Sequence, residues 1–530
     1  MKKRVFRLIC LVLTVLLLTG CAQVKYILGI SSDETPYSKM VYTRPNLVEL
    51  RQIMDDALLA ARGDNFNNIL DSIYTFNTFY DNYYTNYSLA DIRYSSDLTD
   101  LYWEEEYRFC VDNAPALEAA LKELYHALAQ SPCRAELEGE HYFGSGFFDS
   151  YEGENNWDAQ FTALLEQEAE LENRYYELSL IGQEYEPGSE AYYDACGGEM
   201  IGLLTELVAL RREIAAYWGY DNYPEFAYAF YHYRDYTPAQ TDKLLAEIRE
   251  ELVELYVQVC QSERWEAGRV PCTETELMDW LRTETKAMGG TVWEAFRLME
   301  RAGLHDIGYG ENKYNASFEL YLTSYYEPFI FMNPTGRAYD KLTFAHEFGH
   351  FCNDYASYGS YAGTDVAEVF SQGMEYLSLC YGGEDADLAW VKLADCVCIY
   401  VEQAAFAAFE QQMYDLEEEA LTEENLRALY SRVGAEYGFG TDSYDWEFVE
   451  INHYYTDPMY IVSYVVSNDA ALQLYQMELE KQGAGLACLQ EQLDTQAGYF
   501  LEFLGEAGLA SPFEDGRVKE VRKTLEEALK

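Results

Sequence analysis

One pentapeptide constrains the fold of this chain more than any other segment. It reads HEFGH and occupies residues 346–350. Residues four positions apart share one face of an α-helix, so a helix here would aim His346 and His350 in the same direction. Two imidazoles in that arrangement predict a zinc site, with Glu347 beside the metal as the general base for a water molecule. The alternative for the motif is a surface helix that carries two solvated histidines.

A third zinc ligand is predicted on a second helix, over residues 364–380. Glu368 and Glu375 are seven residues apart in this segment and would share one helical face, with Ser371 between them. One carboxylate would complete a His₂Glu site with an open fourth position, and the other would hydrogen-bond a ligand imidazole. The alternative, two acids on a solvated face, is disfavoured by the apolar residues along the same helix.

A third segment, NHYYTDPMYIVSY at 452–464, contains hydrogen-bond donors of the kind that peptide hydrolysis needs. The tetrahedral oxyanion of that reaction is stabilised by donors in addition to the metal, which His453 and one or two tyrosine hydroxyls would provide. The alternative is ordinary core packing, since the chain contains 49 tyrosines.

Together these segments resemble the thimet oligopeptidase and oligoendopeptidase F family of zinc metallopeptidases. The matching motifs are LTFAHEFGH at 342–350, AEVFSQGME at 367–375 and NHYYTDPMYIVSY at 452–464. Two further matches are AAYWGYDNYPEFA at 215–227 and PFIFMN at 328–333, the latter similar to the family's short strand above the zinc cleft. The resemblance implies that this strand would pair with a peptide substrate.

The resemblance also implies a set of site residues: zinc ligands His346, His350 and Glu368, general base Glu347, and transition-state donors His453 and Tyr460. It implies one Zn²⁺ per chain. Glu375 stays open as the third ligand, because Glu368 follows His350 at a shorter spacing than the family usually shows. The second hydroxyl donor also stays open among Tyr454, Tyr455 and Tyr464, because Val462 stands where relatives often carry a tyrosine.

The implied fold is a mainly α, two-lobed, gluzincin-like zincin with a deep substrate cleft and a small β-sheet near the zinc site. Residue patterns predict helices near 46–61, 114–130, 158–180, 197–217, 237–262, 386–414, 422–437, 459–481, 489–507 and 517–529. A strand-like pattern covers 316–332. We expect an N-terminal helical region at 46–210 and the catalytic region at 211–530.

The first residues predict export and lipidation. A basic segment at 1–7 precedes an apolar run at 8–18, and the chain then reads LTGC, which looks like a bacterial lipoprotein box. An apolar run of about eleven residues is short for a ~30 Å hydrocarbon core. We therefore expect a signal peptide at 1–20, a lipidated Cys21 and a tether at 21–45. The alternative is a plain signal peptide that is cleaved elsewhere.

Charge limits the partners of the chain. It has 92 acidic and 37 basic residues and a formal net charge of −55, which should repel nucleic acid and anionic lipid headgroups. We expect membrane contact through the lipid alone, on the extracellular side of a bacterial membrane, and no obligate protein partner. The predicted function is zinc-dependent hydrolysis of oligopeptides. The alternatives are a non-catalytic peptide-binding lipoprotein and a zinc carboxypeptidase or dipeptidase.

The cysteines predict no disulfide framework. Ten of the 12 cysteines follow Cys21, at scattered positions. The chain has no C-x-x-C pair, which argues against a structural zinc site, and Cys396 and Cys398 would point apart on a helix. We expect free, buried thiols, with a disulfide or two as the alternative in an exported protein.

Overall fold

The computed structural model describes residues 35–139, 142–151, 159–359, 363–383, 385–440, 444–495 and 497–530. The predicted signal peptide, Cys21 and the tether up to residue 34 lie outside these residues. Among the described helices, we find none that combines the length and apolar character required to span a membrane.

The described chain is mainly helical with one small sheet, which confirms the predicted fold class at that level. In chain order the α-helices are α1 (Leu47–Ala61), α2 (Phe66–Ser96), α3 (Leu101–Ala129), α4 (Arg134–Leu137), α5 (Ala159–Gly182), α6 (Glu190–Tyr192), α7 (Gly198–Tyr217), α8 (Tyr223–Phe230), α9 (Pro238–Cys260), α10 (Glu274–Met288), α11 (Gly290–Ala302), α12 (Asp340–Ser357), α13 (Thr364–Ser378), α14 (Ala386–Cys398), α15 (Ala404–Tyr414), α16 (Glu423–Glu436), α17 (His453–Thr456), α18 (Val462–Glu480), α19 (Ala484–Thr495), α20 (Phe500–Ala507) and α21 (Arg517–Ala528). The π-helical segments are Tyr193–Gly197 and Ile399–Gln403, and the 3₁₀ turns are Tyr37–Lys39, Phe147–Tyr151, Glu263–Arg269, Glu418–Ala420 and Glu447–Glu450.

Several helices differ from their predicted form. The segment predicted as one helix at 386–414 is α14 and α15 joined by a π-helical segment, and the one predicted at 489–507 is interrupted between α19 and α20. Helix α2 was not predicted. It is rich in tyrosine and asparagine, which have modest helix propensity, and it is stabilised by an apolar stripe that includes Ile69, Ile73 and Phe76.

The described parts of 35–163, 271–361 and 493–496 form one compact unit. Helices α1, α2 and α3 pack together there around an apolar core. Its buried members include Leu50, Met54, Ile69, Ile73, Phe76, Leu117, Leu121, Leu124 and Tyr125.

The same unit contains a three-stranded sheet in the order β1-β3-β2, formed by β1 (His305–Asp306), β2 (Ser317–Leu322) and β3 (Glu327–Met332). β3 is antiparallel to β2 and parallel to β1. Every residue of β3 is buried, and the sheet packs against α12. β3 is the central strand, and its residues Ile330 and Phe331 pair with β1 on one side and with β2 on the other. The expected pairing of β3 with a substrate is therefore wrong at these two residues.

The described parts of 164–270, 362–492 and 497–530 form the second compact unit. Helices α13 and α18 pack side by side along much of their lengths. Gly373 permits this close approach, because an added Cβ would lie 3.3 Å from a Leu474 methyl and 3.4 Å from a Leu489 methyl. The predicted boundary at residue 210 falls inside α7, in this unit, and the functional division of the chain stays a prediction.

Candidate active site

Helix α12 carries the HEFGH segment, and the residues before it fix where the helix begins. The Asp340 carboxylate accepts hydrogen bonds from the Thr335 backbone N–H at 3.1 Å and the Arg337 backbone N–H at 2.9 Å. These bonds close the turn that leads into the helix. Phe348 then packs edge-to-face on Phe296 of α11, with ring centroids 5.9 Å apart, which buries one face of α12.

His346 and His350 share another face of α12, as the four-residue spacing predicts. Their ring centroids are 5.1 Å apart and both side chains are half-buried. Glu347 is buried, with 6% of its surface exposed.

Two further acids of the first unit accompany Glu347, and sequence reasoning did not find them. Burial, followed by the charges of Asp354 and Glu347, raises the pKa of Glu319 on β2 well above its ordinary value. Burial also raises the pKa of Asp354 to about 7. These carboxyls therefore favour the neutral form near neutral pH, which limits the negative charge close to Glu347. Neither residue lies in a recognisable motif, so only the fold could reveal them.

Glu368 on α13 is a buried carboxylate that two hydroxyl groups hold in place. It is 1% exposed. Ser371, one helical turn later, donates to its Oε2 at 3.0 Å, and the Tyr460 hydroxyl donates to its Oε1. With both oxygens engaged, the orientation of the carboxylate is fixed before any ligand arrives.

Glu375 lies on the same helix but in a different environment. Its carboxylate is 2.7 Å from the Lys392 ammonium, which is fully buried and lies 3.4 Å from Asp395. The two glutamates that sequence could not separate therefore differ in their partners, since Glu375 is part of a buried ion pair.

The ligand atoms of His346, His350 and Glu368 lie within 4.8 Å of one another. Two imidazoles and one carboxylate are a donor set that zinc takes in hydrolytic enzymes. The residues present therefore fit a zinc ion, and Glu375 is not a member of this group.

His453, Tyr460 and Tyr464 form an aromatic group in the second unit. The rings of His453 and Tyr460 are stacked, with centroids 4.7 Å apart and an interplanar angle of 1°. The Tyr464 hydroxyl lies 3.2 Å from His453 Nε2. Burial lowers the pKa of His453, although the charges of Asp457 and Glu368 oppose the shift. The imidazole is therefore neutral near neutral pH, with one ring nitrogen as a donor.

The other tyrosines considered as hydroxyl donors point elsewhere. The Tyr454 hydroxyl donates to the Phe406 carbonyl at 2.9 Å, and that of Tyr455 donates to the Met200 carbonyl at 3.2 Å. Both side chains are fully buried. Among the three alternatives, Tyr464 is the one whose hydroxyl lies within hydrogen-bonding distance of the His453 ring.

Two buried residues that the sequence did not mark as functional hold the segment around His453. Arg211, fully buried, donates to the backbone carbonyls of Tyr454, at 2.7 Å, and Tyr455. His232 lies with its Nε2 2.8 Å from the Pro458 carbonyl oxygen. Both contacts restrain the backbone rather than the reacting groups, so these are positioning residues.

A strained residue precedes Tyr460. Met459 has a φ of 66°, in the left-handed region that costs a non-glycine residue about 1–2 kcal/mol. Its backbone N–H donates to Glu410 Oε1 at 2.8 Å. Glu410 is 1% exposed, and burial raises its pKa to about 8. A buried, largely neutral carboxyl thus stabilises the strained conformation that aims Tyr460 at Glu368.

The chain is similar to known peptidases in one segment of its sequence and in its fold. Residues 37–157 match the Peptidase M3 N-terminal domain. No curated protein matches the chain.

Solved structures share the fold over nearly the whole chain. PZ peptidase A is 22% identical with a TM-score of 0.80, covering 93% of this chain and 98% of its own. A protein assigned as an oligoendopeptidase F, from Bacillus anthracis, is 22% identical with a TM-score of 0.78, at 94% and 98% coverage. An M32 carboxypeptidase from Deinococcus radiodurans is more distant, at 15% identity and a TM-score of 0.53, covering 91% of this chain and 99% of its own.

These findings give the chain the oligoendopeptidase fold, with a segment similar to the Peptidase M3 N-terminal domain. The predicted resemblance to the thimet oligopeptidase and oligoendopeptidase F family is confirmed by the M3 domain and by these neighbours.

The raised pKa of Glu410 predicts a specific pH dependence of stability. Above its ordinary pKa of 4.5 the unfolded chain releases this proton, whereas the folded chain keeps it up to about pH 8. The free energy of unfolding should therefore fall as pH rises through this window, by about 1.4 kcal/mol per pH unit from this group. Glu410→Gln keeps the acceptor oxygen but removes the titration. Urea unfolding of both proteins at pH 5 and pH 8 should show the variant gaining relative stability at pH 8, and parallel pH curves would contradict this account.

Proposed function

We propose that the chain is a zinc-dependent endopeptidase that cleaves oligopeptides. The observation that carries this proposal is the group formed by His346, His350 and Glu368, whose ligand atoms lie within 4.8 Å of one another. Glu347, adjacent to the first ligand, is buried and is a carboxylate of the kind that acts as a general base. The oligoendopeptidase fold supports the same reaction class.

Zinc bound by these residues would supply Lewis acidity toward the scissile carbonyl and a water molecule. Glu347 would accept the proton of that water and later pass it to the leaving amine. His453 and Tyr460 would donate hydrogen bonds to the oxyanion that develops on the carbonyl, with Tyr464 as a further hydroxyl donor. The lowered pKa of His453 supports a neutral imidazole in this role.

Tyr460 has a second role in this proposal. Its hydroxyl donates to Glu368, so it orients the proposed third ligand as well as being available to the substrate. Hydrogen bonds to ligating carboxylates tune metal affinity. Loss of this hydroxyl therefore affects metal binding and catalysis through different atoms, and the two effects are separable.

A zinc carboxypeptidase activity is the second candidate function, and the similarity to the M32 carboxypeptidase fold supports it. The two activities differ in their products. Digestion of peptides with free and with amidated C-termini, followed by mass spectrometry, distinguishes internal cleavage from release of the last residue.

The first test changes the proposed base. Glu347→Gln should retain zinc and lose activity by about 10²–10⁴-fold, because the general base is removed and the ligands remain. Elemental analysis and a peptide digest measure the two quantities. His350→Ala should instead lose both zinc and activity. Full turnover by Glu347→Gln would exclude the proposed mechanism, and a wild type that binds peptides without cleaving them would favour a binding lipoprotein.

Helix α13 provides a matched control for the third ligand. Glu368→Ala should weaken zinc binding by about 100-fold or more, as expected for a direct ligand. Glu375→Ala should keep zinc but lower stability by up to about 3–5 kcal/mol, since the buried Lys392 charge loses its closer carboxylate and keeps only Asp395, at 3.4 Å. The reverse pattern would make Glu375 the ligand.

The second test concerns Tyr460. Tyr460→Phe should lower kcat by about 10²–10³-fold at saturating zinc, because an oxyanion donor is lost. It should also weaken zinc affinity by about 10–100-fold, because Glu368 loses a hydrogen bond. Tyr454→Phe is the control, since its hydroxyl contacts only the Phe406 carbonyl among the contacts described and should affect stability alone. A near-normal kcat for Tyr460→Phe would transfer the donor role to Tyr464.

We also propose that the enzyme acts on the outer side of a bacterial membrane, anchored through Cys21. The basic segment, the apolar run and the LTGC sequence support this location. Stable anchoring requires two or more acyl chains. Cys21→Ser should therefore leave an unlipidated precursor, detectable as altered detergent partitioning and an unprocessed N-terminus. A wild-type protein found wholly in the aqueous phase would contradict this location.

A further inference from the structure

A second group of metal-ligand side chains lies within the second unit. Cys260, Cys398 and Glu402 each offer one ligand atom, and these atoms lie within 4.8 Å of one another. Cys260 is the last residue of α9, and Cys398 is the last residue of α14. Glu402 lies in the π-helical segment Ile399–Gln403, four residues after Cys398. No short motif connects these residues, and the lack of a C-x-x-C pair had argued against a zinc site of this kind.

The two thiols of this group lie close together. Their Sγ atoms are within 4.8 Å of each other. Both cysteines are free of disulfides. Cys260 is exposed and Cys398 is half-buried, so a solvated ion has access to the pair.

The third ligand is held by a neighbouring helix. The Tyr256 hydroxyl donates to Glu402 Oε1 at 2.8 Å. Tyr256 lies one helical turn before Cys260, so α9 supplies both a thiol and the group that orients the carboxylate. Helix α9 also packs against α14 and the π-helical segment. Ligands carried on packed helices, with a hydrogen bond behind one of them, form a preorganised site.

The electrostatic surroundings of the group favour a cation. Cys260 ends α9, where the backbone carbonyls place partial negative charge. The charges of Asp395 and Glu447 also act on Glu402. Positive charge placed among these groups would relieve their mutual repulsion.

We propose that Cys260, Cys398 and Glu402 form a second metal site, which takes one thiophilic divalent cation of the zinc class. Two thiolates and one carboxylate select such an ion over magnesium or calcium, which prefer oxygen ligands. Binding converts both thiols to thiolates and releases their two protons to solvent. The three protein ligands leave a fourth position for water or an exogenous ligand. The bound ion links the end of α9 to the junction of α14 and the π-helical segment.

Cobalt titration of the reduced, full-length protein tests this site without relying on peptidase activity. Cobalt bound to thiolate gives an intense sulfur-to-metal charge-transfer absorption, which a site built from two histidines and a glutamate does not produce. The absorption should appear in the wild type, where the proposed catalytic site can take a further equivalent of cobalt, and should saturate at one equivalent in His350→Ala. Failure of the proposed peptidase mechanism therefore leaves this measurement unaffected.

Three variants identify the ligands. Cys260→Ser should weaken cobalt binding by at least about 10-fold and remove much of the absorption, and it alters an exposed side chain. Tyr256→Phe should weaken binding by about 10–100-fold while retaining both thiols. Cys488→Ser changes a half-buried cysteine outside the group and should behave as the wild type.

Two results would overturn the proposal. One is the absence of charge-transfer absorption in the reduced wild type, or absorption of undiminished intensity in both Cys260→Ser and Cys398→Ser. The other is a Cys260–Cys398 disulfide in the isolated protein, shown by peptide mass mapping, whose reduced form takes up no cobalt. That result would assign the pair to thiol–disulfide chemistry instead.

Discussion

The register between α13 and α18 depends on one buried ion pair. Arg234 donates to the Asp365 carboxylate, in the first turn of α13, at 3.3 Å, and to the Ser463 hydroxyl, in the first turn of α18, at 2.7 Å. Ser463 in turn donates to Asp365 at 2.6 Å. Because Glu368 follows Asp365 by one turn and Tyr460 lies two residues before α18, this three-way link sets the position of the carboxylate relative to its tyrosine donor.

Buried cations recur through the second unit, although the chain as a whole is strongly acidic. Arg211, Lys392 and Arg517 are buried like Arg234, and each contacts carboxylates or backbone carbonyls. A helix that slipped past its neighbour would leave such a charge unpaired in a medium of low polarity, which is costly. The polar interior therefore restricts the second unit to one arrangement, whereas apolar contacts alone tolerate small shifts.

The sequence predicted the parts of the site that follow from local geometry. The shared face of the two histidines is a property of any helix, so the HEFGH spacing was sufficient. The choice between Glu368 and Glu375 was not local, because it depends on Lys392, which lies on another helix. The positioning roles of Arg211 and Glu410 could not be predicted for the same reason, because their hydrogen-bond partners are distant in sequence. Helix α2 was missed because its residue propensities are weak and its packing partners decide its conformation.

The backbone conformation of Met459 is fixed when the chain folds and not when a ligand binds. The hydrogen bond to Glu410 and the burial of the Met459 side chain, which is 2% exposed, stabilise its left-handed backbone conformation. A glycine would adopt the same φ without strain but would leave the segment more freedom in the unfolded chain. The adjoining Tyr460 is therefore held in place in the folded chain before any ligand binds. A flexible loop would lose conformational entropy at each binding event, whereas this segment loses it once, during folding.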